Sequence, residues 1–127
     1  MIGMPARVTV VDREGVPIAY VEGEIDLQNA EAVGDALGGA VAPASPGLIV
    51  DLSGVTYLDS AGLHILFDLE RRLSRGGRAL RLVIPDRAVI RRVLLIAGVG
   101  DRIALHPDVD DAVRSLAAGG DRRDLPS

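Results

Sequence analysis

Residues 48–73 read LIVDLSGVTYLDSAGLHILFDLERRL, and two periodicities meet inside this stretch. Leu48-Ile49-Val50-Asp51-Leu52 is a nearly continuous apolar run, the pattern of a strand covered on both faces, which is typical of parallel sheets. After Ser53-Gly54 and Val55 to Leu58, the period changes. Gly62, Ile65, Leu66, Leu69 and Leu73 fall at i, i+3, i+4, i+7 and i+11, the spacing of one buried helix face. Asp59-Ser60-Ala61-Gly62 is therefore a strand-to-helix turn, and Gly76-Gly77 ends the helix.

Upstream, Val8–Asp12 and Val16–Gly23 are rich in β-branched residues and are separated by Arg13-Glu14-Gly15, so they read as a hairpin. Asp26 and Asn29 offer caps for a helix carrying Ala30, Val33, Leu37 and Val41. Downstream, Ala79–Ile84 reads as a strand. Pro85-Asp86 then starts a helix with Val89, Ile90, Val93, Leu94 and Ala97 facing inward, closed by Gly98. Arg102–Leu105 reads as a short strand. Asp108 caps a last helix that buries Val109, Ala112, Val113 and Leu116. The order ββ-α-β-α-β-α-β-α predicts one α/β domain, a mixed β-sheet with an N-terminal hairpin plus parallel strands, packed with about four α-helices. The domain is expected over residues 1–118, and 119–127 as a polar, aperiodic, flexible C-terminal tail.

At 127 residues, with 48% apolar and 25% charged residues, the chain suits a single folded domain. The absence of cysteine excludes disulfides, thiolate zinc sites and thiol catalysis, and His64 and His106 are too far apart for a local metal motif. No metal or other cofactor is expected. A net charge of −4 and only three aromatic residues (Tyr20, Tyr57, Phe67) argue against direct nucleic-acid binding. No apolar run reaches transmembrane length and the N-terminus lacks a signal-peptide pattern, so a cytoplasmic location is the default expectation. All fourteen basic residues are arginines, eight of them between Arg71 and Arg92. They read either as solvated outer faces or as a surface for an acidic partner or anionic lipid.

Loops at the carboxyl ends of strands are where α/β sheets place function, and the Ser60 turn has that address. Projected on the following helix, Ser60, His64, Asp68, Arg71, Arg72 and Arg75 share the stripe opposite the buried leucines, so Ser60 is expected to be exposed. Taken alone, Ser60 or Asp59 reads as a helix cap.

The stretch from Asp51 to Leu63, preceded by Gly23-Glu24-Ile25-Asp26, closely resembles the STAS domain of anti-sigma factor antagonists, over about residues 5 to 117. The resemblance implies a non-enzymatic partner switch. An ATP-dependent serine kinase, itself the anti-sigma factor, would phosphorylate Ser60, and a serine phosphatase would remove the group. The unmodified form would bind the kinase and free its sigma factor. Asp26 and Asp59 would flank Ser60 at the partner-facing surface, which would also take in Ala61, Gly62, Leu63, His64 and Phe67. Relatives often carry Ser or Thr where this chain has Ala61, so a second hydroxyl is absent there. Asp26 reads equally as a cap, His64 as a surface residue, and Leu63 and Phe67 as core or as an apolar rim.

Two rival readings are weighed. Ser60 and His64, at i and i+4, could form a nucleophile and base, but the turn lacks the first glycine of a Gly-x-Ser-x-Gly elbow. Similar domains also serve as accessory subunits of lipid-transport or stress-signalling complexes, a role the arginine cluster would suit.

Overall fold

A computed structural model describes residues 5–119. The elements are β1 (Arg7–Arg13), β2 (Val16–Ile25), α1 (Ala30–Ala40), β3 (Gly47–Leu58), α2 (Ser60–Arg75), β4 (Ala79–Val83), α3 (Arg91–Ile96), β5 (Ala104–His106) and α4 (Val109–Gly119), with a 3-10 turn at Val99–Asp101. This is the predicted order. The proposed tail, apart from Gly119, and residues 1–4 lie outside the described residues.

Five strands form one sheet in the order β1-β2-β3-β4-β5. β1 and β2 pair antiparallel through the hairpin, and every other neighbouring pair is parallel. The hairpin turns on two residues rather than three, Glu14 at φ 56° and Gly15 at φ 86°. Both central residues with positive φ make the tight turn whose twist matches that of paired strands.

Each crossover from β2 to β5 steps one strand in the same direction. Crossovers of one hand then put all three intervening helices on the same face. The core follows this rule. Ala19, Val21, Val50, Leu52, Leu80 and Leu82 point to the face covered by α1, α2 and α3. Ile18, Ile49, Ala79 and Val83 point to the other face, where α4 supplies Ala112, Val113 and Leu116. Residues 47–52 are buried without interruption because both faces are covered at that height. Each fully buried aliphatic side chain there contributes roughly 1.5–3 kcal/mol.

Two departures from the sequence reading matter for function. The strand read over Leu48–Leu52 is longer: β3 continues through Ser53-Gly54 as one strand of 12 residues, with register shifts against β2 between Tyr20 and Glu22 and between Gly23 and Glu24. β4 ends opposite Asp51, so the last seven residues of β3, 52–58, project past it alongside β2.

The second departure is α3. A helix starting at Pro85-Asp86 was the expectation, but Pro85 to Ile90 winds as separate turns, closed by Ala88 N–H on Pro85 O and Arg91 N–H on Ala88 O. The Arg91 guanidinium reaches back to Ile84 O at 3.3 Å. Only six residues are α-helical, and only Ile90 and Leu94 of the proposed inward face are buried; Val89, Val93 and Ala97 are exposed.

Candidate functional site

The free ends of β2 and β3, paired at Ile25 and Leu58, carry two loops side by side. In the first, Asp26 and Asn29 bind each other reciprocally. Asp26 Oδ1 accepts from the backbone N–H of Gln28 (3.0 Å) and Asn29 (3.2 Å), and Asn29 Oδ1 accepts from Asp26 N–H (3.0 Å). Asn29 Nδ2 donates to Glu24 O at 2.8 Å, closing the loop onto its strand. Both residues thus act at the start of α1, but through an Asx turn; Asn29, the N-cap by position, makes no side-chain cap bond.

In the second loop, Asp59 is the N-cap of α2. Its Oδ1 accepts from Ala61 N–H (2.9 Å) and Gly62 N–H (3.3 Å), two of the donors that a helix start leaves free. Its Oδ2 accepts from Leu27 N–H at 3.2 Å, and its own N–H donates to Ile25 O. The cap reading therefore holds for Asp59 and fails for Ser60. Ser60 is the first residue of α2 and is exposed, and no hydrogen bond or ion pair of its side chain occurs among the described residues.

Gly62 is buried where the helix crosses the strand ends. A Cβ there would sit 2.4 Å from Leu58 Cδ1 and 3.1 Å from Ile25 Cγ2, so glycine lets α2 start this close to the sheet without displacing those side chains. One turn on, His64 is exposed and Leu63 and Phe67 are half-buried against the core, with Arg102 over the Phe67 ring at 4.8 Å. Both readings of Leu63 and Phe67 apply in part: they touch the core and leave a rim. No hydrogen bond joins the hydroxyl of Ser60 to the imidazole of His64.

Every proposed site residue thus lies in the turn, in the loop beside it, or on the first two turns of α2. The sequence reading missed two exposed apolar side chains nearby, Leu27 in the first loop (79% exposed) and Tyr57 near the end of β3 (48%). An apolar residue inside the polar run from Asp26 to Asn29 was the available signal. The arginine cluster, by contrast, is dispersed. Arg71 pairs with Asp68, Arg78 donates to Ala42 O, and Arg81 is buried in β4 with its Nε on Ser115 Oγ at 3.0 Å.

Electrostatically the turn is mixed. The N-terminus of α2 presents backbone N–H groups and the positive end of its dipole, while Asp26 and Asp59 bring carboxylates to either side.

Residues 7–112 match the family model of the STAS domain. The chain belongs to the STAS domain family. The STAS domain here is 34% identical over 113 residues to the anti-sigma-F factor antagonist RsfB of Mycobacterium tuberculosis, covering 88% of this chain and 90% of that one. It is 30% identical to the anti-sigma-F factor antagonist RsfA of the same organism, covering 84% of each. Among solved structures, an anti-sigma factor antagonist from Mycobacterium paratuberculosis superposes with a TM-score of 0.79 at 34% identity, over 89% of this chain and 95% of that one. These STAS relatives are matched over nearly their whole length.

Proposed function

We infer that this STAS domain is an anti-sigma factor antagonist that acts as a partner switch at Ser60. Its unmodified form binds an anti-sigma factor that is also a serine kinase and frees the sigma factor. Phosphorylation of Ser60 ends that binding, and a serine phosphatase restores it. The kinship with antagonists named for anti-sigma-F factors supports the partner class. The observation that carries the site is the division of labour in the turn: Asp59 uses both carboxylate oxygens to hold α2 and the neighbouring loop, while the adjacent Ser60 hydroxyl is exposed and uncommitted.

The chemistry follows from that placement. A phosphoryl group adds about −1.5 to −2 charges at neutral pH. At the first position of α2 those charges meet free N–H groups and the dipole, which favour an anion, so the fold tolerates the modification. For a docking partner the same charges stand beside Asp26 and Asp59, and the surface turns from mixed to strongly negative. Leu27, Tyr57, Leu63 and Phe67 supply the apolar contact that the unmodified form offers. The accessory-subunit alternative drew on the arginine cluster, of which Arg71, Arg78 and Arg81 are engaged with separate parts of the fold.

The test is phosphoryl transfer from ATP by the anti-sigma factor serine kinases of the same genome, read by intact-mass spectrometry. One kinase is expected to add a single phosphoryl group to the wild type and none to Ser60→Ala. Equal labelling of the variant would overturn the site.

A further inference from the structure

The segment from Pro85 to Gly98 is apolar on more than one side. Ile90 and Leu94 enter the core, yet Val89, Val93, Leu95 and Ile96 are 73, 41, 49 and 77% exposed. These are half of the large apolar side chains left in solvent among the described residues. Scattered exposed aliphatics are ordinary, but four within eight residues form a patch of the kind that marks an interaction surface. A single helix from Pro85 would have turned Val89 and Val93 inward. The separate turns before Arg91 leave them outside.

The border of the patch is basic. Arg87 and Arg92 are exposed and make no ion pair among the described residues, whereas Arg91 is taken up by Ile84 O and Asp86. This runs against the net charge of −4 for the whole chain. The patch is also tied to the Ser60 helix. The 3-10 turn after α3 leads directly to Arg102, whose guanidinium covers Phe67, two turns along α2 from Ser60.

The geometry points to α3 as the second half of the docking surface. There an amphipathic helix of the same partner lays its apolar side on Val89, Val93 and Ile96 and sets carboxylates against Arg87 and Arg92. This rests on the partner-switch reading of Ser60. Val93 and Ile96, three residues apart, share one side of α3, which suits the i, i+3 and i+4 anchors of a docking helix. An anionic membrane has the same two chemistries, but the chain has no tryptophan, and its net negative charge would be repelled at such a surface. Two halves divide the work: the Ser60 end decides whether the partner binds at all, and the α3 end adds affinity and selects the partner while Ser60 is unmodified.

Calorimetric and surface-binding titrations with the kinase that labels Ser60 test this, using Val89→Ser, Ile96→Ser and Arg92→Glu, each first shown by circular dichroism to be folded. Each apolar replacement is expected to weaken binding about tenfold, chiefly by faster dissociation. Arg92→Glu is expected to slow association and to reduce its dependence on salt. Wild-type affinity in all three variants, with Ser60→Asp still defective, would overturn the α3 half and leave the Ser60 reading standing. Failure of the wild type to bind any such kinase would overturn both. Unchanged kinase binding, with loss of binding to phosphatidylglycerol vesicles, would assign the patch to a membrane and overturn the proposal.

Discussion

Asp59 and Leu27, 32 residues apart in the chain, are joined by a 3.2 Å hydrogen bond from the Leu27 backbone to the Asp59 carboxylate. The other oxygen of the same carboxylate caps α2, so one side chain sets the spacing of the two loops that frame Ser60. Asp59→Ala removes the cap and strands the Leu27 donor, and it should cost about 1–3 kcal/mol in urea unfolding. Asp59→Asn keeps one acceptor oxygen and should recover part of that loss. Equal losses for the two replacements would contradict the two-sided role.

Ser60 makes no side-chain hydrogen bond within the described fold. Ser60→Ala and Ser60→Asp should therefore change unfolding free energy by less than about 0.5 kcal/mol, the usual range for exposed positions. A cooperative melt at the wild-type temperature is the expected record. A large drop would make the hydroxyl structural.

Gly62→Ala puts a methyl group against Leu58 and Ile25, both buried. The buried Leu58 side chain must swing aside or the start of α2 must lift from the sheet, and about 1–3 kcal/mol should be lost. Amide exchange should quicken in residues 59–64 first, because the clash lies at the root of that turn.

Glu14 holds φ 56°, a left-handed conformation that is unfavourable for most side chains and that asparagine tolerates better, and Gly15 follows it. Glu14→Asn should stabilise the protein by about 0.5–1 kcal/mol. A raised thermal midpoint is the expected reading, and no change would mean that the strain is absorbed in the strands.

Two carboxylates on the first turn of α4 are held below the usual range. Asp111 is lowered chiefly by its hydrogen bond from His106, at 2.7 Å, and Asp110 chiefly by its bond from Arg13 beside the hairpin turn. A carboxylate with a lowered folded value contributes stability above its unfolded value, about 4, and loses it as pH falls through the folded value. Acid should thus loosen α4 from the sheet below about pH 4. Asp111→Asn should lower unfolding free energy at neutral pH toward its acid value, and so flatten the acid limb when urea unfolding is measured against pH.

Much of this was readable in the chain. The apolar run at residues 48–52 and the leucine spacing of residues 62–73 fixed β3, α2 and the turn between them, because burial on both faces and burial on one stripe leave different periods. The exposure of Ser60 followed from the same spacing. The length of β3 was not readable, since Ser53-Gly54 resembles a break until β2 is beside it to pair with. Nor was the true shape of residues 85–98: an apolar pattern states which side chains would profit from burial, while the separate turns before Arg91 leave Val89 and Val93 outside. Asp59 could be suspected as a cap, but its bond to Leu27 depends on two strand ends meeting, which local sequence does not encode.

The projection of β3 past β4 carries a lesson about information. Under the proposed switch, a mark on Ser60 would sit at the far tip of the sheet, in a turn fastened by Asp59 and not by Ser60 itself. It would be written and erased without the chain having to refold. The molecule would in that sense be a one-bit memory held by covalent chemistry alone, its retention set by the enzymes that act on the mark and not by any motion of its own.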